Sequence, residues 1–137
     1  MSQGNTDLGI LSEAKFVYEA YRHGLTVLQP TTHCTPYDFV VDTGENLWKV
    51  QVKSTATLQN VGNKKNVYRV LPRHGREHTK YEGGFDFLAC YVAPEDTWYL
   101  IPFSHINGGS ICLYPHRSTG KETMYEVYKE NWKIFFE

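Results

Sequence analysis

The chain has 137 residues, a mass of 15.8 kDa and a formal net charge of −1 at pH 7. Hydrophobic residues make up 41% and aromatic residues 15%, a composition that indicates a globular protein and excludes a disordered one. No apolar run reaches the length of a membrane span, and the N-terminus lacks a signal-peptide pattern. The length predicts one domain over residues 1–137.

The cysteines indicate a reducing compartment. Cys34, Cys90 and Cys112 are odd in number and widely spaced, which argues against a disulfide framework. Cys90 stands in a strongly apolar segment, so we expect it to be a small buried side chain. The cytoplasm is the expected location.

The N-terminal segment predicts a helix over residues 6–23. Thr6 or Asp7 is the candidate N-cap, and Gly24 supplies a C-terminal stop. Apolar side chains recur at three- and four-residue steps, at Leu11, Ala14, Val17, Tyr18 and Tyr21.

One carboxylate in this helix is a candidate functional group. Glu13 falls on a small, mostly apolar side, one turn from Ile10 and Val17. A charged, unpaired carboxylate in a core is costly, so Glu13 is either paired or functional there. The alternative is a glutamate on the helix surface at the edge of the stripe.

Residues 37–53 predict a β-hairpin that follows a short strand at 25–28 and a loop at 29–35. Two segments rich in β-formers, 37–42 and 47–53, flank a four-residue turn with Gly44 at the position that needs a positive φ. If Asp42 pairs with Leu47, Asp38 lies directly opposite Gln51.

The same register groups three polar side chains. Lys53 shares a face with Gln51, about 7 Å further along the strand, while Trp48, Val50 and Val52 form the core face. A carboxylate, an amide oxygen and an ammonium group suit metal-dependent phosphodiester hydrolysis, since the oxygens hold a hard cation and the lysine orients water. The alternative is a solvated strand face with nothing bound.

A basic segment follows the hairpin. Six cations against the single carboxylate of Glu77 give residues 64–80 a local net charge of +5. The cations are interleaved with tyrosines, a pattern typical of a segment that binds a phosphate backbone. The alternative is a solvated basic loop. The cations are Lys64, Lys65, Arg69, Arg73, Arg76 and Lys80.

Taken together, these segments resemble the PD-(D/E)XK nuclease superfamily, and more narrowly the group I intron homing endonucleases of that fold. The resemblance rests on G-I-L-S-E, H-G-L-T-V-L-Q-P, P-Y-D-F-V-V-D and W-K-V-Q-V-K-S. F-D-F-L-A-C-Y-V with T-W-Y-L-I-P-F is similar to the later strand pair, and Y-E-V-Y-K-E-N-W to the C-terminal helix. The homing enzymes carry Gln in the D/E-x-K element, as Gln51-Val52-Lys53 does.

The resemblance implies an α/β, restriction-endonuclease-like fold with a central mixed sheet flanked by helices. Its catalytic set falls on Glu13, Asp38, Gln51 and Lys53, with Mg²⁺ held by Asp38, Gln51 and Glu13. The chain departs from the superfamily at Tyr37, which precedes Asp38 where proline is usual. Gln51 also removes one negative charge from the metal site, which weakens Mg²⁺ binding.

The implied activity is Mg²⁺-dependent, site-specific cleavage of double-stranded DNA by a nucleoid-associated homo-oligomer, a dimer or a tetramer. Two alternatives share the fold: a structure-selective nuclease such as a Holliday-junction resolvase, and a catalytically inactive DNA-binding domain.

Overall fold

The computed structural model describes residues 3–74, 79–80, 84–106, 109–116 and 124–137, with the backbone alone at 3–6, 73–74 and 79–80. One α-helix, α1, precedes strands β1 to β10 in this part of the chain. Helix α1 covers Gln3–Arg22, and the strands in chain order are Thr26–Leu28, Phe39–Asp42, Leu47–Thr55, Leu58–Val61, Lys64–Val70, Arg73–His74, Thr79–Lys80, Phe87–Val92, Thr97–Pro102 and Ile111–Leu113.

A five-stranded mixed sheet lies at the centre, in the order β1-β2-β3-β8-β9. Strands β3 and β8 run parallel, and the other neighbours are antiparallel. The predicted hairpin register is confirmed, because Asp42 pairs with Leu47 and Phe39 with Val50. Gly44 in the turn has a φ of 95°, the left-handed conformation for which glycine is favoured.

Helix α1 covers one face of this sheet. Phe16 is fully buried, and its ring stacks on Phe39 with 5.5 Å between centroids. Val50 and Val52 point into the same cluster, which confirms the predicted core face of β3. Gly24, with a φ of 81°, follows the helix and confirms the predicted stop.

Only Val17 of the predicted apolar stripe packs against the core, and the other four members of the stripe are exposed. The buried positions of the helix are Ser12, Phe16, Glu19 and Ala20. Both sides of the helix carry apolar residues, so periodicity alone left the buried side undecided, and the sheet takes the side with Phe16. The caps predicted at Thr6 and Asp7 are also wrong, because α1 begins at Gln3.

A three-stranded antiparallel sheet, in the order β10-β5-β4, packs on the opposite face of the central sheet. Tyr68 and Val70 from β5 join Leu88 and Tyr99 from the central sheet in a second buried cluster. Cys90 is fully buried there, as predicted. Strands β8 and β9 of the central sheet are therefore apolar on both faces.

The predicted C-terminal helix is wrong. The segment instead forms two short 3₁₀ turns, Glu126–Tyr128 and Trp132–Phe136. Glu130 between them has a φ of 52°, and its N–H donates to the Trp98 carbonyl at 2.7 Å while its carboxylate accepts from the Trp98 N–H at 2.8 Å. Hydrogen bonds to the backbone edge of β9, the last strand of the central sheet, therefore replace the i→i−4 bonds that a helix needs.

The same segment still packs as expected, because Trp132 and Phe135 are buried in the cluster beneath α1. Throughout the described ranges, the three cysteines are free thiols. No helix among the described residues is both long and apolar enough to cross a membrane.

Candidate active site

All four predicted catalytic residues line one cleft of about 410 Å³. Glu13 comes from α1, Asp38 precedes β2, and Gln51 and Lys53 lie on β3. The loop between β1 and β2 supplies most of the remaining wall. Its lining residues are Gln29, Pro30, Thr32, His33, Thr35, Pro36 and Tyr37.

Asp38 is held by the backbone of the neighbouring strand. Its N–H donates to the Val50 carbonyl at 2.9 Å, and its Oδ2 accepts from the Val52 N–H at 2.7 Å. A carboxylate that accepts a backbone N–H bond is fixed in orientation and favoured in its charged form. The strand pairing therefore fixes the orientation of the Asp38 carboxylate in the ligand-free protein.

Gln51 has a structural reason to be an amide. The side chain is 5% exposed, and its Nε2 donates to the Pro36 carbonyl at 3.1 Å. A glutamate in this conformation would place a carboxylate oxygen against that carbonyl oxygen. With Nε2 engaged, Oε1 is the Gln51 atom that can ligate a cation.

Glu13 and Asp38 act on each other electrostatically. Burial and then the negative charge of Asp38 raise the pKa of Glu13, while His33 opposes this shift. Two neighbouring carboxylates disfavour each other's charged form unless a cation lies between them. The half-buried side chain of Glu13 therefore supports the functional interpretation over a solvated helix-surface glutamate.

Lys53 lies on the same face of β3 as Gln51 and is half-buried. It pairs with Cys90 on the parallel neighbour β8. Burial raises the pKa of the Cys90 thiol, and the positive charge of Lys53 opposes that rise. Lys53 thus lines the cleft and acts electrostatically on the buried thiol behind it.

The donor set fits a hard divalent cation such as Mg²⁺. Two carboxylates and one amide oxygen, from Glu13, Asp38 and Gln51, line the same cleft, and such cations prefer oxygen ligands. No group of three or more His, Cys, Asp or Glu side chains that could hold a metal occurs among the described residues. In this cleft the third oxygen donor is the neutral side-chain amide of Gln51.

The sequence pattern did not identify the β1–β2 loop as part of the site. His33 lines the cleft and acts on Glu13, and the Pro36 carbonyl orients Gln51. Neither contact can be recognised from a periodic pattern in the sequence, because loop residues have no regular spacing of polar and apolar side chains. The two prolines that bracket the loop, Pro30 and Pro36, were the signal that could have suggested a fixed conformation.

The structure describes the basic segment in part. Lys64 and Lys65 are exposed on β5, whereas Arg69 on the same strand is half-buried. The Arg69 Nε atom is itself buried, with no hydrogen-bond partner in the described part of the chain. Arg73 and Lys80 lie in the paired strands β6 and β7. Arg76 falls outside the described residues.

Solved structures with a similar fold include a homing endonuclease and a Holliday junction resolvase. The bacterial homing endonuclease I-Ssp6803I has a TM-score of 0.79 and 27% identity, over 96% of this chain and 93% of that one. The Holliday junction resolvase Hjc from the archaeal hyperthermophile Archaeoglobus fulgidus has a TM-score of 0.52 and 14% identity, over 78% and 85%. The second likeness concerns the fold alone.

No curated protein sequence matches the chain. The sequence profile of the PD-(D/E)XK endonucleases matches residues 4–133, which is nearly the whole chain. With the restriction-endonuclease-like fold of its neighbours, this match confirms the resemblance that the motifs indicated. The chain belongs to the PD-(D/E)XK endonuclease family.

Proposed function

We propose that this endonuclease is Mg²⁺-dependent and cleaves double-stranded DNA at specific sites, as a homing-type enzyme acting through one nuclease domain over residues 1–137. The observation that carries the proposal is the convergence of Glu13, Asp38, Gln51 and Lys53 on a single cleft. Similarity to a homing endonuclease over 96% of the chain supports the site-specific class.

Each residue has a role that its placement supports. Asp38, Gln51 Oε1 and Glu13 would hold the cation, which would supply stabilisation of the negative charge that develops on the scissile phosphate. Lys53 positions the attacking water and donates hydrogen bonds to the phosphate oxygens. Attack by water forms a new phosphorus–oxygen bond as the bond to the leaving sugar oxygen breaks. The water loses one proton and the leaving oxygen gains one, so the number of protons balances.

Binding requires further cations outside the cleft. Lys64, Lys65, Arg69, Arg73, Arg76 and Lys80 contact DNA phosphates in this proposal. Each phosphate contact releases counterions and makes affinity depend on salt. One chain offers one such active site, so cleavage of both strands needs at least two subunits, and the working form is a homo-oligomer, a dimer or a tetramer. A DNA substrate places the protein at the cytoplasmic nucleoid.

A cleavage screen tests this function. Supercoiled plasmids carrying randomised inserts are incubated with the protein in Mg²⁺, in Ca²⁺ and in EDTA, and the cut ends are sequenced. We expect Mg²⁺-dependent ends at one recurring sequence, with binding but little cleavage in Ca²⁺. Equal products in EDTA and Mg²⁺ would exclude metal dependence.

The same preparation separates the alternatives. A four-way DNA junction and a linear duplex of the same sequence are compared at equal concentration. Cleavage of the junction alone would assign a structure-selective nuclease, of which a Holliday-junction resolvase is one kind. Tight DNA binding without cleavage of any substrate would assign an inactive domain.

A further inference from the structure

Helix α1 carries an apolar face that the described part of the chain leaves uncovered. Ile10 and Leu11 are each 64% exposed, Tyr18 is 59% exposed and Tyr21 is 54% exposed. Ala14 is exposed between them. Isolated apolar residues on a surface are ordinary, but a contiguous set on one helix face marks an interaction surface.

The spacing of this face is that of a helix seam. At about 100° per residue, Ile10, Leu11, Tyr18 and Tyr21 all fall within roughly 60° of Ala14, so the five side chains share one stripe about 100° wide. This face points away from the buried side centred on Phe16. Its three- and four-residue steps are those by which one helix packs along another. The surface therefore fits a second helix.

The charges at the two ends of the face determine which helix fits. Asp7 is exposed near the start of the face, and Arg22, which is paired with Glu19 of its own helix at 2.8 Å, is still 57% exposed at its end. A second copy of α1 packed antiparallel, with Ala14 opposite Ala14, sets Asp7 of each copy near Arg22 of the other. A parallel copy would instead place like charges together. The antiparallel arrangement also opposes the two helix dipoles favourably.

The centre of the face suits this arrangement as well. Ala14 is its smallest side chain, so two helix backbones can approach closely at that point. In a two-fold interface, residue i meets residue j and j meets i, so Ile10 and Leu11 of each copy pack on Tyr18 of the other. The exposed apolar side chains then cover one another.

We propose that α1 is the self-association surface of this protein and that it pairs antiparallel with α1 of a second copy, crossing at Ala14. The proposal rests on the proposed function only in that cleavage of both strands requires a second subunit. Glu13 adjoins the face on the same helix, so pairing at Ala14 brings the two Glu13-bearing helix surfaces together.

Sedimentation velocity across a range of protein concentrations tests this surface. The test variant is Leu11→Glu with Tyr18→Glu, because both side chains are exposed and each glutamate gains a cation, Lys15, at helical spacing in its own chain. In the proposed register the new charges face each other across the interface. The matched control is Leu47→Glu with Val127→Glu, two apolar side chains exposed to 64% and 68% elsewhere.

We expect the wild type and the control to self-associate, and the α1 variant to sediment as a folded monomer with at least tenfold weaker association. Equal association of the α1 variant and the wild type would overturn the proposal, as would a wild type that stays monomeric at every concentration.

A charge exchange tests the antiparallel direction. Asp7→Arg alone should weaken association, because it faces Arg22 of the other copy, and adding Arg22→Asp should restore it. No rescue would contradict the register.

Nicking of one DNA strand in Mg²⁺ reports the chemistry separately. A monomeric α1 variant that still nicks upholds the endonuclease function. Loss of cleavage by every variant, with the association results intact, counts against the function and not against the surface.

Discussion

The cleft and the basic strand β5 both carry charged side chains, but the protein holds them differently. In the cleft, Asp38 is fixed by the Val52 N–H and Gln51 by the Pro36 carbonyl, and Gln51 is 5% exposed. On β5, Lys64 and Lys65 project into solvent. Chemistry on a phosphate needs groups placed to within a fraction of an ångström, whereas attraction to a phosphate backbone needs only charge nearby.

The two regions should therefore fail differently when their residues are changed. Loss of a cleft side chain should act on the rate of cleavage and leave DNA affinity largely unchanged. Loss of the basic side chains should act on affinity and its salt dependence, with the chemistry intact. Arg69 lies between these cases, because its half-buried guanidinium also packs within the fold.

The largest effect is expected from Asp38→Asn, which removes the central carboxylate of the proposed metal site. We expect it to abolish Mg²⁺-dependent cleavage while DNA affinity, measured in Ca²⁺, stays near that of the wild type. Asp42→Asn is the matched control, since Asp42 is the last residue of β2, four residues after Asp38, and its carboxylate accepts a hydrogen bond from the Gly44 N–H instead. Near-normal cleavage by Asp38→Asn would remove this carboxylate from the metal site.

Lys53→Ala should lower the single-turnover cleavage rate by at least about 100-fold, because one positioned electrostatic or proton-transfer group is lost. Lys49→Ala is the control, because Lys49 lies on the same face of β3 but its ammonium group lies over the Tyr37 ring at 5.8 Å. A change of only a fewfold in the Lys53 variant would support the solvated strand face.

The smallest effect on chemistry is expected from replacing Arg69, Arg73 and Arg76 with Gln. Binding should weaken, and the slope of log K against log salt should fall by up to about 3, since each lost phosphate contact removes about one unit. The control replaces three cations elsewhere, Lys15, Lys129 and Lys133. An unchanged slope in a folded triple variant would show that DNA follows another path.

The hairpin was predictable because strand geometry has few free parameters. A period of two and one turn residue, Gly44, determined the register that brings Asp38 opposite Gln51, and the observed pairing of Phe39 with Val50 agrees. The sequence pattern alone did not predict that β8 is the parallel partner of β3. Local sequence does not specify pairing with a strand 37 residues further along the chain.

Tertiary contacts decided the parts that local patterns predicted wrongly. Helix α1 has apolar residues on two sides, and the core selected the side with Phe16. The C-terminal aromatics have helical spacing, yet Glu130 bonds to Trp98 and interrupts the helix. The loop contacts of His33 and Pro36 in the cleft likewise depend on the folded chain.

Calorimetric titration of Ca²⁺ into the protein–DNA complex measures whether the cleft holds the cation. We expect saturable binding by the wild type, by Asp42→Asn and by Lys53→Ala, and its loss in Asp38→Asn, with DNA alone as the blank. Metal binding would then depend on Asp38 while cleavage also depends on Lys53. Equal Ca²⁺ binding by Asp38→Asn and the wild type would place the metal outside this cleft and contradict the proposed site.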